Sequence, residues 1–199
     1  WPRLMVSKTP SAKGICIGPI STRNMATEVV DAIESVIPLR RCTVRMGRKY
    51  VAPDGAPVCS AARLGLAQCP CSGTAEPESY ANAVQQAADA LTGKSSFVRD
   101  ALTERMNAHS EAQRYEEAAY LRDRIQTFET VLRRQEQAEK LCSQGKFTVS
   151  FDNIVYEVDN GVLASTRNAD QLFMPLSSLS KHVQDAIIPP AGVYDAQGV

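Results

Sequence analysis

The stretch Gln113-Arg-Tyr-Glu-Glu-Ala-Ala-Tyr-Leu-Arg-Asp-Arg-Ile-Gln-Thr-Phe-Glu-Thr-Val-Leu132 sets how the rest of the chain is read. Tyr115, Ala118, Leu121, Arg122, Ile125, Phe128 and Leu132 recur at steps of three and four, the period of an amphipathic helix. Ala118 and Ala119 are small enough for a second helix to approach closely there. Glu116, Glu117, Asp123 and Arg124 flank the stripe with both signs of charge. Such a helix either closes a hairpin on its own chain or offers its stripe to a partner.

Immediately upstream, Ser95 or Ser96 caps a helix with Phe97, Val98, Leu102 and Met106 inward, and a break over 110–114 separates it from the opening helix. The two form an expected antiparallel hairpin with a short turn. Before them, Pro77 and Glu78 open a helix that places Tyr80, Val84, Ala87 and Leu91 on one face and ends at Gly93. Residues 1–20 read as two short strands around Leu4, Val6, Ile15, Ile17 and Ile20. A helix capped by Ser21 or Thr22 follows, with Met25, Val29, Val30, Ile33 and Ile37 on one face, and Pro38 stops it. Beyond Lys146 the period becomes two: Phe147, Val149 and Phe151, then Ile154, Tyr156 and Val158, with a hairpin turn at Asp159-Asn160-Gly161 and Val162–Thr166 pairing back. A short helix around His182–Ile187 ends at Pro189-Pro190, and Ala191–Val199 are expected to fray.

Residues 39–75 are rich in Pro and Gly and too poor in apolar residues to build a core, so they need a staple. Cys42, Cys59, Cys69 and Cys71, spaced C-x16-C-x9-C-x-C, are the candidates. Two disulfides would leave Cys16 and Cys142 over. Four thiolates suit a structural zinc ion, although the usual paired C-x2-4-C knuckles are missing. They also suit an iron–sulfur cubane, which tolerates uneven spacing. Unligated thiols packed in a loop are the plain alternative, and spacing alone does not choose the metal.

The 22 basic and 22 acidic residues balance, but not locally. Over residues 1–64, ten Lys and Arg stand against four Asp and Glu, an excess of six positive charges. The run Arg40, Arg41, Arg45, Arg48 and Lys49 is the candidate polyanion contact, with a solvated basic surface as the bland counterpart. His109 and His182 have no companion motif, and no G-x-S-x-G, H-E-x-x-H or phosphate-cradling glycine loop occurs, so no self-contained active site is expected. With 44% hydrophobic residues and no apolar run near the roughly 20 residues of a membrane span, the composition is that of a globular chain without membrane segments, expected in the cytoplasm. Trp1 is not an initiator methionine, and the chain is expected to begin inside a longer protein.

Glu-Glu-Ala-Ala-Tyr-Leu-Arg-Asp-Arg-Ile over 116–125, preceded by Glu-Arg-Met-Asn-Ala-His-Ser over 104–110, resembles the UVR hairpin shared by the excision-repair proteins UvrB and UvrC. Gly18-Pro19, then Ile37-Pro38-Leu39-Arg40-Arg41-Cys42, is similar to the end of the GIY-YIG nuclease domain of UvrC. Pro57-Val58-Cys59, Leu64-Gly65 and Cys69-Pro70-Cys71-Ser72-Gly73 look like the cysteine-rich linker after it. The resemblance covers roughly residues 1–140 in the family's order. It implies an incision protein of nucleotide excision repair, acting on damaged double-stranded DNA. Cys42, Cys59, Cys69 and Cys71 would hold a 4Fe-4S cluster. Tyr115, Ala118, Ala119, Arg122 and Ile125 would lie at or beside the surface for a UvrB-like partner. One residue separates the last two cysteines where the family pattern has three, which keeps zinc as the alternative. The GIY-YIG catalytic residues would belong upstream of Trp1, and the family's second, ribonuclease-H-like nuclease would need more chain than follows Leu141. A metal-stabilised UVR-type adaptor that binds a protein partner and no DNA is the competing function.

The fold expected is therefore α+β and helix-rich. Residues 1–38 form the edge of a GIY-YIG-like nuclease domain, a small α/β remnant, and 39–75 a cysteine-rich, metal-binding linker. Residues 76–142 are helical and contain the UVR-like hairpin over 96–141. Residues 143–199 form a β-hairpin tail of unassigned role.

Overall fold

The computed structural model describes residues 1–9, 14–47, 50–73 and 75–168, together with the backbone of 193–195. It is α+β. In chain order come strands β1 (Met5–Ser7) and β2 (Cys16–Ile17), then helices α1 (Arg23–Val36), α2 (Ser60–Arg63), α3 (Pro77–Leu91), α4 (Phe97–Glu111) and α5 (Tyr115–Ser143). Strands β3 (Lys146–Phe151), β4 (Ile154–Asp159), β5 (Val162–Asn168) and β6 (Val193–Asp195) follow.

Local chemistry accounts for most helix ends. Thr22 caps α1, its Oγ1 accepting the Met25 N–H at 3.2 Å, and the chain leaves the helix at Ile37, before Pro38. Pro77 opens α3 at its first helical position, and Gly93 at φ 70° follows its cap, where Lys94 N–H returns to the Asp89 carbonyl at 2.9 Å. The turn between α4 and α5 closes the same way without a glycine. Arg114 N–H reaches His109 O and Gln113 N–H reaches Ser110 O, both at 2.9 Å, with Gln113 itself left-handed at φ 57°.

The chain divides into two compact units, 1–132 with 191–199, and 133–190. In the first, Leu4, Ile17 and Ile20 join Val29, Ile33 and Ile37 of α1, Tyr80, Ala87 and Leu91 of α3, Val98 and Leu102 of α4, and Phe128 and Val131 of α5 in one buried cluster. Residues 1–38 therefore share a core with α3, α4 and α5, so the boundaries expected at 38 and 75 do not divide the packing. The reason is α1, whose apolar face is covered by elements on both sides of the cysteine-rich segment. The expected inward Phe97 is 50% exposed, because Val98 and Leu102 alone carry the buried face at the start of α4.

In the second unit β3, β4 and β5 form an antiparallel meander in that order. The tail is thus three-stranded, with a second tight turn at Asp152-Asn153, both at positive φ (46° and 64°), joining β3 to the central strand β4. The turn at Asn160-Gly161 lies against the end of α5: a Cβ on Gly161 would stand 2.7 Å from Cys142 Sγ, and Asn160 N–H donates to Gly145 O. The C-terminal segment departs from the expected fraying over 193–195, where β6 pairs antiparallel with both β1 and β2 and lies between them. The expected helix around His182–Ile187 lies outside the described residues.

Candidate metal centre and interaction surfaces

Three of the four cysteines of the proline- and glycine-rich segment converge, and the fourth touches one of them. A backbone hydrogen bond from Gln68 N–H to Pro38 O, 2.8 Å, ties the segment carrying Cys69 and Cys71 beside the one carrying Cys42. The Sγ atoms of Cys42, Cys69 and Cys71 all lie within 4.8 Å of one another. Cys59, the residue before α2, joins them with its Sγ 3.2 Å from that of Cys69. None of the four forms a disulfide. The two touching thiols are electrostatically unlike. The Ala62 N–H, with help from the Cys69 thiol, pulls Cys59 below the usual thiol range, whereas burial pushes Cys69 up.

An all-sulfur donor set of this kind suits a thiophilic metal. Four thiolates around a single ion at bonds of about 2.3 Å stand about 3.8 Å apart. A four-iron cubane spreads them to about 6 Å, because each sulfur sits outside its own iron. The sulfurs of Cys42, Cys69 and Cys71, within 4.8 Å of one another, fall between these two spacings and do not separate them.

The described basic residues of the candidate polyanion run, Arg40, Arg41 and Arg45, have different surroundings. Arg40 is 1% exposed and is withdrawn from the surface on which Arg41 and Arg45 stand. Its Nε donates to Trp1 O at 2.8 Å, and its Nη1 to Val44 O at 2.8 Å, to Cys42 O at 3.1 Å and to Cys42 Sγ at 3.5 Å. Burial therefore removes Arg40 from the candidate DNA contact. Its backbone N–H donates to the Tyr80 hydroxyl, which itself donates to Pro2 O, while Trp1 packs edge-on against the Tyr80 ring at 5.1 Å. Arg41 and Arg45 are exposed, and Arg48 and Lys49 lie outside the described residues. Arg41 holds Glu34 by an ion pair at 3.3 Å and donates to its backbone carbonyl at 2.8 Å. Burial pushes the Glu34 carboxyl up to about 7 despite the neighbouring Arg41.

On the hairpin, Ala118 is buried, Ala119 is half-buried, and half-buried Ile125 packs against the chain's own core. Tyr115, 65% exposed, and Arg122 face outward, the latter paired with Asp123 at 2.7 Å. Of the expected partner stripe, Tyr115, Ala119 and Arg122 are thus the open part. Tyr120, 61% exposed with the Arg124 guanidinium 4.7 Å above its ring, extends that open face. The seven-residue stripe does not include it, and its aromatic type at an exposed helical position is the signal that could have found it.

The UvrC/Cho excinuclease middle-domain model matches residues 1–90, and the UvrB/uvrC motif model matches 98–131. Similar proteins carry the description UvrABC system protein C. One, from Natronomonas pharaonis, is 27% identical over 169 residues, covering 85% of this chain and 28% of the relative. Another, from Nitratidesulfovibrio vulgaris, is 34% identical over 164 residues, covering 81% of this chain and 22% of the relative. The chain thus spans about a quarter of the length of these relatives. No solved structure matches it. No helix of the described residues is long and apolar enough to cross a membrane.

Proposed function

Because this chain belongs to the UvrC family, carrying its middle domain and its UVR motif in succession, we propose that it serves as the non-catalytic middle part of a DNA-repair incision nuclease. In that role it presents the nuclease to damaged double-stranded DNA and docks a UvrB-like partner through the α4–α5 hairpin, in the cytoplasm. The observation that carries this proposal is the order of the two family segments on one chain, with three thiols gathered inside the first and a fourth in contact with one of them. Docking uses Tyr115, Ala119 and Arg122, with Ala118 and Ile125 supporting them from beneath. The test is a pull-down with a UVR-bearing partner alongside a melting curve. Ala119→Glu should abolish capture while the melting temperature holds; undiminished capture rejects the surface.

The cysteines hold a metal as thiolates and staple a segment that has no core of its own. The group they hold is the 4Fe-4S cluster that the resemblance implies, with one zinc ion as the alternative. Anaerobic purification with metal and sulfide analysis separates the two. One zinc per chain without a visible absorption band supports the single ion. Stoichiometric iron and sulfide with a broad band near the visible blue establish the cluster instead.

DNA contact falls to Arg41, Arg45, Arg48 and Lys49. Replacing all four by alanine should weaken duplex binding and flatten its salt dependence, by about 0.9 in log–log slope for each phosphate no longer neutralised. The adaptor function, with a protein partner and no DNA, draws support from the burial of Arg40 and the Glu34–Arg41 pair, which reduce the free positive charge. An unchanged affinity and salt slope would favour it.

A further inference from the structure

Arg40 sets a problem in charge. Its side chain is among the most completely buried in the protein, yet no carboxylate pairs with it among the described residues. Its polar partners are three backbone carbonyls and one sulfur, Cys42 Sγ at 3.5 Å. Carbonyl groups satisfy N–H donors without neutralising a cation, and a buried charge lacking an opposite charge is costly. The sulfur is the one partner able to carry a formal negative charge, and it belongs to the four-thiol cluster.

We infer that Arg40 is the buried counter-charge of the metal–thiolate centre, donating through its Nη1 to the Cys42 sulfur. A four-thiolate site carries a net charge of about −2 whether it holds one zinc ion or a four-iron cubane. A guanidinium at hydrogen-bond reach offsets part of that charge and withdraws electron density from one ligand. The centre in turn supplies the anion that the buried guanidinium lacks. Tyr80 and Trp1 fix the arrangement from the other side, the tyrosine hydroxyl by accepting the Arg40 backbone N–H and the Trp1 carbonyl by accepting Nε–H. The inference rests on metal binding by Cys42, Cys59, Cys69 and Cys71.

Cobalt(II) titrated into the metal-free 199-residue chain tests it, read at the thiolate-to-cobalt charge-transfer band. Arg40→Met should weaken cobalt binding by about tenfold or more and move that band. Arg40→Lys, which keeps the charge, should recover part of both. The methionine variant also forfeits hydrogen bonds to carbonyls, so melting with and without cobalt separates the two effects. Loss of a counter-charge lowers the melting temperature of the loaded protein by more than that of the metal-free one. Equal lowering in both states, or cobalt affinity and band position unchanged in Arg40→Met, overturns the inference while leaving the metal site standing. Absence of cobalt binding by the parent chain overturns both.

Discussion

At the scale of the residue, arginines that are neighbours in sequence have opposite fates. Arg40 turns inward to carbonyls and a sulfur, whereas Arg41 turns outward to clamp Glu34. Composition and spacing make both look like surface base. What separates them is the Tyr80 hydroxyl and the Trp1 carbonyl, 40 and 39 residues away, which a local window does not contain. Glu34 yields a prediction at the same scale. Its carboxyl has an ordinary value of 4.5 and is pushed by burial to about 7 in the fold. The unfolded chain therefore releases this proton more readily than the folded one. Glu34 thus contributes most favourably below pH 4.5, and that contribution is lost as pH rises through 7 and is level above it. Glu34→Gln removes the titration, so its melting temperature relative to the parent should climb between pH 4.5 and 7 and then stay constant. A difference that is flat across that window would contradict the assignment.

Elements are the most legible level. The three-and-four spacing locates α1, α3, α4 and α5, because each carries an apolar stripe long enough to outweigh local noise. Turn chemistry locates the bend at Asn160-Gly161 but not the one at Asp152-Asn153, where no glycine announces the left-handed backbone. The link between α4 and α5 offers a prediction of the same kind. Gln113 occupies a left-handed position that glycine adopts without steric cost. Gln113→Gly should stabilise the first unit by about 0.5–1 kcal/mol, a rise of roughly 1–4 °C in thermal unfolding. A fall in melting temperature would mean that the glutamine side chain supplies more than the backbone strain costs. The open face beside this turn is only half legible: periodicity draws the stripe, but whether Ala118 or Tyr120 meets solvent depends on α4 and the core behind it.

For the whole molecule, the sequence suggests four segments and the structure has two units, because α1 reaches across the cysteine-rich stretch to α3 and α4. The four cysteines belong entirely to the first unit and the β3–β5 meander entirely to the second. On the proposed metal site, a chelator should therefore lower the melting of the first unit by several degrees and leave the melting of the meander unchanged. Calorimetry with and without chelator checks this, and an equal shift in both transitions would refute it. The pairing of β6 between β1 and β2 bears on the order of events during synthesis. The helices up to α5 can begin to pack as they leave the ribosome, but β1 and β2 gain their shared neighbour only when Val193–Asp195 arrives, and that long closure carries an entropic cost. Until Val193–Asp195 has been made, β1 and β2 therefore stand open along those edges, in the interval when edge-to-edge association with another chain is most damaging.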